Sequence, residues 1–400
     1  MTTPPYTGDG SILLDPKTIR TRSGNILDSV ENGDSSCFHV AHDCLQAACD
    51  EVIAITHSNY PDLAVPYHSR WRHFEVNGTD LSESLLDNTE NRLAAEIELV
   101  VISVLLDAGA GREWSYMHAA TNQSFSRSEG LAIASLNMFA TGLFSSNSDD
   151  PCRVDGRALT SLSESELAAG FQADTANPLI GLDSRTTLLN TLGQEIINRG
   201  GDNSRLADLF SPLTQASEEL SADTILRTVL DATGAIWPHR KSIGQIVVAD
   251  AWQHRNAGGA GTGAGYVPFH KLSQWLSYSL IEPLQRHQLK VTQLDMLTGL
   301  PEYRNGGLLI DTGVLVPKDS DFNSRRYEVH SEFVVEWRAL TVALLDKLAD
   351  AVRQALSRSA DELPLAAILQ GGTWAAGRAL AQQKRGGLPP VDVISDGTVF

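Results

Sequence analysis

Residues 91–107 read NRLAAEIELVVISVLLD. The stretch is polar for its first turn and almost wholly apolar afterwards, the pattern of a helix that starts at a surface and runs into a core. The glycines of Ala108-Gly109-Ala110-Gly111 mark its end. Working outward, helical spacing recurs through most of the chain. Cys37, Val40, Ala41, Cys44, Leu45, Ala48 and Val52 form one stripe in a helix expected over 37–55. Ser126 with Glu129, and Ser163 with Glu166, have the spacing of a capping box. Further helices are expected at 184–199, 221–233, 268–287, 331–357 and 365–385. Strand signals are confined to 243–249 and 307–316, and no strand–helix alternation builds a doubly wound sheet. The fold class is mainly α: a single large helical domain over 35–400 with a few short strands, preceded by an N-terminal tail, 1–34. The glycine-rich run RNAGGAGTGAG (255–265) reads as a mobile lid or a plain linker.

Composition bounds the function. Of 400 residues, 42% are hydrophobic, enough for a large core. With 31 Lys and Arg against 49 Asp and Glu, the net charge is −18. That field repels a nucleic-acid backbone and anionic membrane surfaces, so neither a polymeric nucleic acid nor a membrane is an expected partner. No run approaches ~18 apolar residues, and the N-terminus lacks a signal-peptide pattern, so a cytoplasmic location is expected. The four cysteines do not make a disulfide scaffold. Cys37, His39, His42, Cys44 and Cys49 lack the paired spacing of a zinc site and read as core packing, so no metal and no cofactor are expected.

Several segments carry chemistry. PYHSRWRHF (66–74) interleaves His68, Arg70, Arg72 and His73 with aromatic rings, a set that suits an anionic sugar or base as well as a loop pinned by ion pairs. PFHKLSQW (268–275) sets His270, Lys271 and Gln274 at a helix start, where anions bind. TGLPEYRNGGLLID (298–311) reads as a turn holding Glu302, Tyr303, Arg304 and Asn305 beside two glycines. Asp311 sits in its apolar tail, and Glu336 interrupts the apolar EFVVEWRAL (332–340) beside Arg338. Carboxylates so placed are either ion-paired or shifted in pKa, and the second case suits catalysis.

PYHSRWRHF, RSEGLAIAS (127–135), VPFHKLSQWLSYSLIEPL (267–284), LTGLPEYRNGGLLID (297–311), VEWRAL (335–340), QGGTWAAGR (370–378) and SDGTVF (395–400) together resemble the uracil catabolism proteins of the pyrimidine ring-opening pathway. The resemblance covers about residues 35–400 in order. It implies a place in a pathway that passes through a ribosylurea species and ends in urea, a three-carbon acid and a sugar phosphate. A second, more distant resemblance links PFHKLSQ and VEWRAL to queuosine 5′-phosphate N-glycosidases, and implies a DNA-glycosylase-like helical core. Phe269 and Lys271 stand where those enzymes carry Asp and Arg, which leaves the catalytic carboxylate unassigned.

The expected activity is hydrolysis of ribosylurea 5′-phosphate to urea and ribose 5-phosphate. The substrate class is a small phosphorylated ribose compound. A carboxylate would stabilise the oxocarbenium-like state and an acid would protonate the departing urea. Asp311, Glu336 and His270 are the catalytic candidates. His68, Arg70, Arg72, Lys271, Gln274, Glu302, Tyr303, Arg304, Asn305 and Arg338 are the binding candidates. The alternatives are an amide hydrolase acting on an opened pyrimidine, or a non-catalytic nucleotide-binding partner of the pathway. Sequence alone leaves the oligomeric state open.

Overall fold

A computed structural model describes residues 9–87, 89–107, 109–111, 113–237 and 241–394. Its main helices are α1 (Pro16–Glu31), α2 (Leu45–Asn59), α3 (Arg92–Leu105), α4 (Arg127–Ala140) and α5 (Leu182–Gly200). They continue with α6 (Ala222–Thr233), α7 (Lys271–Arg286), α8 (Tyr303–Asp311), α9 (Glu332–Leu356) and α10 (Trp374–Arg385). Strands are two or three residues long and pair only in twos. The mainly α expectation is met.

Two apolar helices organise the core. In α3 every residue from Ala94 to Leu105 is buried, and the helix packs on α4 and α7. Two of those residues are glutamates, and each is neutralised. Glu98 takes Arg205 through both carboxylate oxygens at 2.7 and 2.8 Å, and Glu96 meets Arg92 at 3.0 Å. The second organiser, α9, is buried from Phe333 to Val342 and packs on α1, α2 and α8. Helix α7 ties the halves together, with α3 on one side and α6 on the other. No helix among the described residues is long and apolar enough to cross a membrane.

Five expectations need correction. Residues 1–34 are not a loose tail where they are described: α1 buries Ile19, Ile26, Leu27 and Val30 against α9. The stripe over 37–55 is not one helix. Ser35 Oγ accepts the amides of Cys37 and Phe38, and Phe38–Val40 then pairs antiparallel with Leu315–Pro317 before α2 begins. The three cysteines of this stripe are free thiols, with Cys49 buried and Cys37 and Cys44 half-buried.

The tail of 298–311 is a helix rather than a turn running into a strand. Glu302 caps α8 by accepting the amides of Arg304 (2.9 Å) and Asn305 (2.6 Å), and helix formation then carries Gly306 and Gly307 to Asp311. The expected strand 243–249 is a hairpin, Lys241–Ile243 with Ile246–Val248.

The glycine run 255–265 is neither linker nor free lid. It closes the ladder of Ala251–Gln253 with Tyr266–Pro268, and Arg22 and Asn25 of α1 both donate to Ala257 O. Gly259 has φ +91°, and a Cβ there would lie 1.7 Å from the Arg22 guanidinium, so only glycine permits this approach.

Candidate active site

A cleft of about 580 Å³ opens where the end of α3, the first turn of α7, the start of α8, the start of α10 and segment 68–73 converge. Its walls include His68, His73, Asp107, Lys271, Trp275, Glu302, Tyr303, Arg304 and Trp374. The structure thus gathers His68, Lys271, Glu302, Tyr303 and Arg304 of the sequence candidates into one space.

Segment 68–73 enters the core because Ser69 caps a 3₁₀ turn, Arg70–His73, and the His68 amide bonds Ala366 O. The His68 ring lies between Trp275 and Trp374, with centroids 6.4 and 5.9 Å away. Its Nδ1 is 3.0 Å from Gln370 Oε1, and the Gln370 amide nitrogen donates to the Tyr60 hydroxyl at 3.3 Å. That chain assigns the proton to Nδ1 and leaves Nε2 as an acceptor. Burial pushes His68 down to about 4, with Arg304 contributing in the same direction. His73 is also held well below the ordinary histidine range by burial, and its Nδ1 has no partner among the described residues. Both rings are therefore neutral hydrogen-bonding surfaces near neutral pH.

Gln370 owes its position to a π turn, Leu369–Thr373, that precedes α10. Gly372 lets this turn touch α2, since a Cβ there would meet Val52 Cγ1 at 2.3 Å. Such turns widen a helix and re-aim a side chain.

The two carboxylates of the cleft are held differently. Asp107 is ion-paired with Arg70 at 3.0 Å. Arg70 is completely buried, donates from Nε to Ser103 Oγ at 2.7 Å and from Nη1 to Ser128 O at 3.1 Å, and lies behind the cleft wall as a strut for Asp107. Glu302 spends its oxygens on the α8 cap, and burial raises its pKa despite the nearby Arg304.

The cations are distinctive. Lys271 Nζ forms no hydrogen bond or ion pair with any described residue, and burial lowers its pKa even with Glu302 nearby. Arg304 is 8% exposed, stacks on Trp374 at 4.0 Å and lies within ion-pair distance of no carboxylate among the described residues. Arg185 reaches the same cleft but spends its nitrogens on the carbonyls of Leu106, Ile180 and Gly181.

The remaining candidates lie elsewhere. Arg72 is held by both oxygens of Glu282 at 2.9 Å. Gln274 is buried and clamps Thr298, taking its amide at 2.7 Å. Asn305 donates to Leu300 O. His270 adopts φ +48° at the start of α7 and points its Nε2 at Leu13 O, 2.8 Å away, which makes it a tie to the N-terminal segment. Arg338 grips Asp250 with two bonds of 2.7 and 2.8 Å. Burial would raise the Asp250 carboxyl, but Arg338 together with the Lys271 amide and the Trp252 indole holds it below its usual value.

The two carboxylates expected to be catalytic do not share a cavity. Asp311 ends α8 and is bound by Arg385 through both oxygens at 2.7 and 2.6 Å. Glu336 is fully buried in another layer, where Ser35 Oγ donates to it and His254 Nε2 lies 3.2 Å away.

Among the described residues one group has metal-like composition: His254, Glu332 and Glu336, with ligand atoms within 4.8 Å of one another. The histidine argues for an internal hydrogen bond instead. His254 Nδ1 accepts the Asn256 amide at 3.2 Å, so its proton sits on Nε2 and faces Glu336. A metal-binding imidazole needs the opposite arrangement, a bare Nε2 and a donating Nδ1.

Sequence reasoning missed Asp107, Trp275, Trp374 and Gln370. Asp107 closes an apolar run just as Asp311 does, and the same rule would have flagged it. The others stand inside quoted segments but depend on which helix face turns inward, and that is a tertiary property.

Residues 12–400 match the family described as "Protein of unknown function (DUF1688)". Protein urg3 of Schizosaccharomyces pombe is 36% identical, covering 97% of this chain and 98% of its own length. The chain belongs to this family. A further relative, Uracil catabolism protein 4 of Lachancea kluyveri, is 35% identical, covering 96% of this chain and 97% of its own length. The match begins at residue 12, consistent with α1 being part of the folded body.

Proposed function

We propose that this family member acts in uracil catabolism as an N-glycosidase that hydrolyses ribosylurea 5′-phosphate to urea and ribose 5-phosphate. The place in uracil catabolism is supported by the name of a full-length relative. The reaction is supported by one observation above the others: two carboxylates, Asp107 and Glu302, line the same cleft as two cations, Lys271 and Arg304, that have no carboxylate partner among the described residues. An acidic protein that leaves cations unpaired in a cavity is organised for a small anion.

The roles follow from the environments. Glu302, raised by burial, is the proton donor to the departing urea nitrogen. Asp107, anchored by Arg70, faces the developing positive charge and takes the proton of the attacking water. The bond from ribose C1 to urea nitrogen breaks, the water oxygen bonds to C1, and the two protons end on urea and the solvent-exchangeable acid. His68 Nε2 accepts a ribose hydroxyl, and Trp275 and Trp374 wall the sugar from solvent. This reading moves the catalytic pair from Asp311 and Glu336 to Glu302 and Asp107.

The test is urea release from ribosylurea 5′-phosphate. Glu302→Gln and Asp107→Asn should each lower the rate by ~10²–10⁴, the usual cost of a lost general acid or base. Asp311→Asn should keep the wild-type rate. A wild-type protein that binds the compound and yields no urea would sink the glycosidase reading.

A further inference from the structure

Two stretches quoted from the sequence, RSEGLAIAS and QGGTWAAGR, supply residues that the proposed reaction does not use. They meet in a second lobe of about 560 Å³ that borders the first, because Tyr303, Arg304 and Trp374 line both. Arg127 comes from the first turn of α4, and Arg378 from one turn beyond Trp374 on α10.

The lobe's charge is unlike its surroundings. Three arginines line it, Arg127, Arg304 and Arg378, and no Asp or Glu does so among the described residues. The chain as a whole has 49 acidic residues against 31 basic ones. The first lobe mixes Lys271, Arg185 and Arg304 with Asp107 and Glu302. A surface groove elsewhere offsets Lys17, Arg20 and Arg353 with Asp295, Asp346 and Asp350. Among the described residues, carboxylates are thus absent from this lobe's lining, although Glu129 pairs with one of its arginines, Arg378.

The arginines are also arranged. The Trp374 ring carries the Arg304 guanidinium at 4.0 Å and that of Arg378 at 5.6 Å, and Arg378 is steadied by Glu129 at 2.9 Å. Arg127 has no ion pair among the described residues and holds φ +54°, a conformation that non-glycine residues seldom adopt. Gln370, Tyr60 and Asn59 add neutral hydrogen-bonding groups to the wall. Guanidinium forks around a carboxylate-free recess match the oxygens of a doubly charged phosphate monoester.

We propose that this second lobe is the phosphate subsite, with Arg127 and Arg378 holding the terminal phosphate and Arg304 bridging it to the first lobe. The identity of the ester rests on the glycosidase reading, but the anion site does not. Ligand selection then divides between lobes: the second recognises the phosphate, and the first holds the sugar and the bond to be cut. Lys271 is thereby left at the reacting end beside Glu302.

The experiment is equilibrium binding of inorganic phosphate and of ribose 5-phosphate to the full chain, by calorimetry, for wild type, Arg127→Gln, Arg378→Gln and Lys271→Gln. Melting curves check that each variant is folded. Both arginine variants should bind either probe roughly 10- to 100-fold more weakly, the range for a lost charge-assisted contact. They should also narrow the preference for ribosylurea 5′-phosphate over its dephosphorylated form. If both arginine variants bind phosphate as wild type does and Lys271→Gln loses it, the phosphate sits in the first lobe and the proposal is overturned. Binding lost in the arginine variants, with no urea from wild type, keeps the anion site and removes the glycosidase. Urea released by both arginine variants with unchanged KM keeps the glycosidase and removes the site.

Discussion

Protonating His68 should cost the folded protein a measurable part of its stability, and the size follows from its surroundings. The ring is buried between two tryptophans, bonded through Nδ1 to Gln370, and pushed from 6.5 down to about 4. In the unfolded chain it regains the ordinary value. A histidine depressed on folding stabilises the native state above its unfolded pKa. That contribution drains away as pH falls from 6.5 toward the folded value, because the unfolded chain takes up the proton first. A shift of this size corresponds to about 3 kcal/mol in full, of which about 2 kcal/mol is lost between pH 7 and pH 5. The assay is urea denaturation of wild type and His68→Asn at pH 7, 6 and 5. His73 and His270 titrate in both proteins, so the difference between the two pH dependences isolates His68. The variant starts less stable at pH 7 through lost packing, yet should lose about 2 kcal/mol less on going to pH 5. Parallel pH dependences for the two proteins would refute a buried neutral His68.

Other substitutions separate structure from chemistry. Asp250→Asn removes the charge that the fully buried Arg338 grips with two bonds and should cost ~3–5 kcal/mol by denaturant titration. Asp311→Asn and Arg385→Ala should each lower stability by ~1–3 kcal/mol and be non-additive in the double variant, with urea release unchanged. Gly377→Ala would bring a Cβ to 2.2 Å from Arg304 O, so α10 must retreat from α8. Melting temperature should fall, with a cost of ~1–3 kcal/mol, and the KM for the phosphorylated substrate should rise because Arg304 and Trp374 separate.

The helical class was legible because burial of one face imposes periodicity, which α5 and the second half of α9 display, whereas α3 is buried all round and is marked by its length. Boundaries were less legible where a side chain sets them. Glu302 starts α8 by capping two amides, and Ser35 starts a strand, yet neither residue looks like a signal in its local pattern. The cleft was half legible. Lys271, Arg304 and Glu302 were named because polar groups next to glycines or helix starts suit ligands. Arg70, Arg72 and Arg338 look the same in sequence but are consumed by Asp107, Glu282 and Asp250. Whether an arginine is free or paired depends on residues 37, 210 or 88 positions away, and no local reading reaches that far.

The seat of α1 also sets an order of events. Arg20 is bonded to Asp346 of α9, 326 residues further along the chain, and His270 fastens Leu13 beside it. During synthesis the first helix therefore emerges long before its partner exists. At ~5–20 residues per second it waits at least about fifteen seconds with Ile19, Ile26 and Leu27 uncovered. Native structure around α1 is thus completed only after α9 has been made, by closure of a very long loop.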